Sequence, residues 1–441
     1  MFAATSDGNT TKGARVKYCR APPMAQIEPL KALHYDLAKT GGLQDVIAPP
    51  YDVIDAAQRA ELEAESPYNV VRIDLPQGED PYRTAAQELA GWRQEGVIVE
   101  DDDPALWILE QEYTGPDNRR RTRRGFLARV RVEEYGPGRV RPHERTHPGP
   151  KEDRLRLTRA TKANLSPIFA LFSDPDGTAR RALEPATADD PWGTAGDDDG
   201  TRNRIWRVAD PSAIATVKEA LIDAELLIAD GHHRYETARI YADEVGGMGP
   251  QQYVLMDLVA LQDPGLTIFP THRLLKNLTP EQQKALASAI RRDFDIQELG
   301  STDELGPQPG PDHVKIGYID SHLQKPLMLT LKNQEIADRA LSEHAEPYRR
   351  LDTAVLEALI LKGALNMTDE DIDHLHQLGY ARDAADAVEQ VRAGAYDAAF
   401  LMAPVPVERV QAIAAAGESM PPKSTYFFPK VPTGLLFNPL A

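Results

Sequence analysis

The 441-residue chain has a single cysteine, Cys19. One thiol permits neither an intramolecular disulfide nor a four-cysteine zinc site, so a reducing compartment, the cytoplasm, is the expected location. Positive charge is also scarce: 50 Lys and Arg stand against 68 Asp and Glu, a net charge of -18. That balance excludes broad, non-specific nucleic-acid binding, which needs a positive field. It leaves room for a few clustered cations around a small anionic substrate. Long apolar runs are missing too. The stretch 398–407 is broken by Pro404 and Pro406 and falls far short of the roughly 20 residues of a membrane span, so no membrane partner is expected.

What is present is ordinary globular material, 41% hydrophobic and 27% charged. That excludes a wholly disordered chain. Domains of roughly 100–200 residues suggest two or three compact units. Residues 1–24 are polar, lack the apolar core of a secretory signal, and read as a disordered extension, with Met1 and Met24 both open as the start. Residues 25–300 read as the main catalytic α/β domain. Residues 301–441, beyond a Pro/Gly-rich stretch after Gly300, read as a second α/β region contributing to the same site.

Strand-like and helix-like stretches alternate, which predicts an α+β (mixed α/β) fold. Asp55 caps a predicted helix over 56–65. Strands are expected at 27–33, 69–75, 106–113, 125–133, 167–172, 204–208, 225–228, 253–261 and 398–403. Residues 314–319 and 327–331 read as a hairpin. Helices are expected at 81–95, 151–163, 212–223, 232–245, 279–292, 351–363, 383–394 and 407–416. The Asp-, Ala- and Gly-rich segment 177–200 reads as a flexible surface insertion.

The strongest chemical signal is Ala229-Asp230-Gly231-His232-His233-Arg234-Tyr235. An apolar strand runs into Asp230-Gly231 and a helix follows. Free backbone N–H groups and the dipole at a helix start favour anions. Arg234 adds a planar donor fork suited to phosphate. Asp230, at a strand end, is placed to hold a metal or orient a hydroxyl. The plainer reading, a strand-turn-helix with exposed polar residues, is weaker for Asp, two His and Arg in five positions.

A second segment, 141–156, contains His143-Glu144-Arg145-Thr146-His147. It matches the zinc-protease pattern H-E-x-x-H, which needs both histidines on one helical face. Pro142, Pro148 and Pro150 argue against a continuous helix there. Glu144 is instead the candidate base for a substrate hydroxyl. Lys151 and Arg154 are candidates to neutralise phosphate charge. Two further pieces are weaker. His272-Arg273 follows a short strand and is as common on any protein surface. Lys423-Ser424-Thr425 resembles the end of a phosphate loop but has prolines where the glycines belong. Asn69 and Arg72 are candidates for an amino-acid carboxylate, with a structural role equally open.

These residues carry a family resemblance. The turn at 230–234 resembles the signature of the ParB/sulfiredoxin-like superfamily, in which an Asp-Gly-x-His-Arg turn contacts nucleotide phosphates. VIAPPYDVI (46–54), PYNVVRIDLP (67–76), RRGFLARVRVEEY (123–135), PHERTHPGPKEDRL (142–155), NLSPIFALFSD (164–174), PTHRLL (270–275) and MPPKSTYFFPKVPTGL (420–435) resemble, more closely, the bacterial family known as domain of unknown function 1015. That resemblance implies a ParB/sulfiredoxin-like core with additional α/β elements. It marks His143, Glu144, Thr146, Lys151, Asp153 and Arg154 as shared residues, with His147 incidental. Free-serine kinases occur in the wider superfamily, and the resemblance implies serine phosphorylation with pyrophosphate as donor.

The leading expectation is a small-molecule kinase acting on the hydroxyl of a free amino acid, L-serine by resemblance. The donor is pyrophosphate or a nucleotide, with Mg²⁺. Glu144, Asp230 and His233 are the catalytic set, with Asp230 also the metal ligand. His232, Arg234, Lys151, Arg154, His272, Arg273, Lys423, Ser424 and Thr425 hold phosphate. Asn69, Arg72 and His143 hold the substrate. Two rivals stand beside it: a ParB-like nucleotide-binding regulator without turnover, and a metal-dependent hydrolase built on His143 and His147.

Overall fold

The computed structural model describes residues 26–441 except 116, 136–138, 145–147, 309 and 311–313, and leaves the side chains of 148–150 and 373 undescribed. The expectations for the extension 1–24 and for Arg145, Thr146 and His147 lie outside the described residues.

Two sheets organise the molecule. The larger takes strands β1 (Ile27–Glu28), β2 (Leu106–Thr114), β3 (Arg120–Arg131), β4 (Val140–Arg141), β5 (Ile168–Phe172), β6 (Gly193–Gly196), β7 (Arg202–Val208), β8 (Leu226–Asp230) and β9 (Tyr253–Ala260). Their order is β4-β8-β5-β9-β3-β2-β7-β6, with β1 paired to β3. The smaller takes β10 (His272–Leu275), β11 (Phe294–Glu298), β12 (Lys315–Asp320), β13 (Leu327–Leu331), β14 (Leu378–Ala381) and β15 (Ala398–Leu401), ordered β11-β13-β12-β15-β10-β14. The fold is α+β, as expected. The second sheet already contains β10 and β11, upstream of residue 300.

Period-two burial gives the large sheet two faces. On one, Phe126, Ala128, Val130, Met256 and Leu258 pack under the helices Thr178–Leu183, Pro211–Ala220 and His232–Val245. On the other, Leu127, Phe169, Leu255 and Val259 join a core that continues into the smaller sheet through Leu275, Ile316 and Phe400. The carboxyl-terminal segment sews the two together. Phe427 and Phe437 are fully buried, Tyr426–Phe428 pairs with Thr267–Phe269, and Asn438–Pro439 pairs with Ala163–Asn164.

Several local expectations hold for physical reasons. Asp55 accepts from the backbone of Ala57 and Gln58 and starts the helix Ala56–Glu65. Thr279 and Gln282 form a reciprocal capping box ahead of Pro280–Asp293. Two expectations fail. Residues 69–75 are a loop and a short helix, Val71–Asp74, where a strand was expected. The Asn69 amide donates to the Asp45 and Ile47 carbonyls, and its oxygen accepts from Val71 N, so side-chain bonding to the backbone of the turn overrides the alternation. The segment 177–200 is no flexible insertion. Asp174 accepts from Thr178 and Arg180 at the start of Thr178–Leu183, and β6 extends the sheet beside β7.

Candidate active site

Strand β8 ends at Asp230, and the helix His232–Val245 begins two residues later. Gly231 makes the turn with φ of 93°, and a Cβ there would sit 2.9 Å from Arg234 Nε. Only glycine fits both the conformation and the space. The turn opens into a cavity of about 330 Å³ between the two sheets, lined by Tyr51, Asp52, Val53, Glu144, Ala229, Asp230, Gly231, His232, His233, Arg234, Thr271, Tyr380, Arg382, Pro422, Lys423, Thr425, Tyr426 and Lys430. Four cationic side chains (Arg234, Arg382, Lys423, Lys430) face three carboxylates (Asp52, Glu144, Asp230). The balance is locally positive in a chain of net charge -18.

Asp230 is clamped. Arg234 donates to its Oδ2 at 2.5 Å, and Lys430 pairs with its Oδ1. Burial raises its pKa, but Lys430 and Arg234 outweigh that and hold the carboxyl below its ordinary range. Each oxygen is already on a cation, which disfavours Asp230 as a metal ligand. Arg234 also donates to Ser166 Oγ and to the Pro167 carbonyl, so half of its fork is structural.

His143 and His232 are buried, His232 at the cavity wall and His143 behind it, their rings edge to face at 4.7 Å. His143 N donates to His232 Nε2 at 3.2 Å. The short contact of His143 Nδ1 with the Ile228 carbonyl, 2.6 Å, assigns the proton to Nδ1. Its Nε2 then accepts from the Thr425 hydroxyl at 2.9 Å. Burial lowers the pKa of both rings, His232 well below its ordinary value. They are neutral scaffolding, and His143 orients Thr425. It is neither a metal ligand nor a direct substrate contact.

Glu144 lies on extended chain bridged to Met420, where Met420 N donates to the His143 carbonyl at 2.7 Å. His143 and Glu144 are not helical, so the helix on which the H-E-x-x-H pattern depends does not include them. That removes the geometric basis for the zinc-hydrolase reading. Among the described residues, no three His, Cys, Asp or Glu side chains gather as a metal site. Glu144 Oε1 accepts from Lys423 N at 3.1 Å, and both residues line the cavity.

Other candidates are placed elsewhere. Arg154 forms a buried pair with Asp74 at 3.0 Å, binds Asp153, and stacks 4.3 Å over Tyr51. Burial lowers its pKa, but Asp74 and Asp153 raise it further. Lys151 is paired with Glu236 at 2.9 Å. His272 is buried, accepts from Met402 N, and is pushed down to about 4 by burial and by Arg273. Arg273 donates to the Thr271 and Pro422 carbonyls. Ser424 is buried against Thr353 and donates to the Pro421 carbonyl. Asn69 holds the turn described above, and Arg72 pairs with Glu63 at 3.2 Å. None of these seven side chains lines the cavity. Each makes at least one hydrogen bond or ion pair inside the protein.

Sequence reasoning overlooked Lys430, Arg382, Tyr426, Tyr380 and Thr271 as cavity residues, whereas Tyr51 and Asp52 lie in the double-proline loop 48–52, whose stiffness suits a pocket wall. Lys430 and Tyr426 lie within the 420–435 stretch already singled out. Arg382, whose guanidinium sits 4.6 Å over the Tyr426 ring, left no local signal.

Fold and cavity together define an α+β protein with a cation-rich site between two sheets. The chain belongs to the family described as protein of unknown function (DUF1015), whose model matches residues 27–354. Among solved structures it is similar to a conserved hypothetical protein from Pyrococcus furiosus, at 14% identity over 67% of this chain and 90% of that one, TM-score 0.34. It is also similar to a free serine kinase in complex with AMP, at 13% identity over 66% and 83%, TM-score 0.33. A third is SbnI with a C-terminal truncation from Staphylococcus aureus, at 13% identity over 71% and 87%, TM-score 0.36. No curated protein matches the chain.

Proposed function

We propose that this protein transfers a phosphoryl group from pyrophosphate or a nucleotide to the hydroxyl of a free amino acid, L-serine by family resemblance. The observation that carries the reading is one cavity holding a helix N-terminus, four cations and a carboxylate, Glu144, that none of those cations neutralises among the ion pairs of the described residues. The helix start at His232 and His233, with Lys423, Lys430 and Arg382, provides donors for phosphate oxygens. Glu144 accepts the hydroxyl proton as the hydroxyl oxygen attacks phosphorus. The new O–P bond forms as the bridging P–O bond breaks, and the remaining phosphate leaves with that electron pair. Asp230 keeps Lys430 and Arg234 in place. No step is routed through a metal.

The test is direct. Purified protein is incubated with L-serine, Mg²⁺ and pyrophosphate, ADP or ATP in turn, and phosphoserine is measured by mass spectrometry. Phosphoserine with one donor, lost in Glu144→Gln, is the expected result. Absence of phosphoserine with every donor overturns it, and tight nucleotide binding without turnover favours a regulatory protein instead.

A further inference from the structure

Behind the cavity, the middle of the large sheet carries a row of buried polar side chains on the face where hydrophobic ones are expected. Gln111 of β2 lies between Arg123 of β3 and Asn203 of β7 in register, and all three are at least 98% buried. A polar row in a sheet core is costly unless its members satisfy one another. Here they nearly do. Arg123 donates to Gln111 Oε1. Gln111 Nε2 donates to Asn203 Oδ1 at 2.9 Å and to the Lys430 carbonyl at 3.0 Å. Asn203 Nδ2 donates to Asp197 Oδ2 at 3.0 Å.

The direction of this row follows from what each group can do. A guanidinium only donates, so Arg123 obliges Gln111 to turn its oxygen inward. The Gln111 amide hydrogens must then face Asn203 and the backbone of the carboxyl-terminal segment. Arg123 is itself held flat, 4.2 Å over the Phe169 ring. Phe169 is the cross-strand neighbour of both Asp230 and Asp257. The row therefore runs from the centre of the sheet to the residue whose ammonium clamps Asp230.

We infer that Gln111 is a positioning residue for Lys430, its amide orientation set by Arg123, and that this row is what holds the segment carrying Lys430 against the sheet at the cavity. The carbonyl of Lys430 is fixed by Gln111, so its side chain departs from a fixed point toward Asp230. The inference concerns the placement of Lys430; only its anion-affinity arm rests on the phosphate reading above.

Gln111→Glu tests it with almost no change of shape. The carboxylate still accepts from Arg123 but has no hydrogen to give to the Lys430 carbonyl. Amide hydrogen exchange is followed by mass spectrometry on the peptides spanning 426–432, in parallel with the binding of inorganic pyrophosphate by calorimetry. Exchange there is expected to quicken by about tenfold, the loss of one net hydrogen bond, while peptides from β8 and β9 stay unchanged. Pyrophosphate affinity falls in the variant, and falls no further when Gln111→Glu is added to Lys430→Gln, since the two then act through one contact. Should Gln111→Glu not fold, Gln111→Asn, shorter by one methylene, serves the same comparison. Unaltered exchange over 426–432, or additive losses in the double variant, overturns the inference. If the wild-type protein binds no pyrophosphate, the pyrophosphate form of the phosphate reading falls while the exchange measurement still decides the role of Gln111.

Discussion

Lys430 pairs with Asp230, 200 positions earlier in the chain, and shares that carboxylate with Arg234. Two cations on one partly buried carboxylate leave a local positive excess that a phosphate oxygen can complete. Removing Lys430 therefore weakens anion binding more than folding. Lys430→Met is expected to raise the dissociation constant for pyrophosphate roughly 10- to 100-fold, the range for a hydrogen bond to a charged group. Calorimetry reads this directly, and an unchanged constant removes Lys430 from the site.

The same pair carries a pH signature. The Asp230 carboxyl is depressed in the fold, since Lys430 and Arg234 outweigh its burial. A depressed carboxyl contributes stability that is full above its unfolded value, about 3.9, and drains away as pH falls toward the folded one. Lys430→Met shrinks the depression. Urea unfolding between pH 6 and pH 3 should show the wild-type protein losing more stability on acidification than the variant. Parallel losses in the two proteins contradict the clamp.

His272 adds a loss at milder acidity. Burial and Arg273 push it down to about 4, while an unfolded histidine titrates near 6.5. Between those values the unfolded chain takes up a proton that the folded chain refuses. Stability is thus complete above about 6.5 and declines as pH drops toward 4. His272→Asn keeps an acceptor for Met402 N and removes the titration. Its unfolding free energy should fall less between pH 7 and pH 5 than that of the wild type, by about 1–2 kcal/mol.

Glu144→Gln retains an oxygen for Lys423 N but cannot take a proton. Phosphoserine formation is expected to fall roughly 10²–10⁴-fold, with the thermal midpoint unchanged. Equal turnover in the variant eliminates Glu144 as the base.

Arg154 separates frame from site. Its pair with Asp74 is buried on both sides, and breaking such a pair costs about 3–5 kcal/mol. Arg154→Ala should lower urea stability by about that much and leave pyrophosphate affinity intact. A lost affinity with intact stability returns Arg154 to phosphate duty.

Much of the architecture was legible because it is local. Asp55, Thr279 and the strand-glycine-helix turn at 230–232 act within a few residues, so their chemistry is visible in a short window. Asn69 misled because its alternating apolar neighbours imitate a strand, while its amide serves carbonyls more than twenty positions back. The site was half legible for the same reason. Glu144 and the 230–234 turn carry their own patterns, and the cavity brings them together. Arg154, His272 and Arg273 carry equally suggestive patterns, but Asp74, Met402 N and the Pro422 carbonyl, which help to engage them, lie 80 or more positions away in the chain. Lys430 is the converse, an inconspicuous lysine given its place by a distant carboxylate and by Gln111.

The return of the carboxyl-terminal segment to the large sheet also fixes an order of events. During synthesis, the β8 turn and Glu144 emerge well before Lys423, Thr425, Tyr426 and Lys430. A nascent chain that has already formed the nine-stranded sheet holds Asp230 against Arg234 alone, with one wall of the cavity missing. The cavity is complete only once the segment after residue 420 is in place.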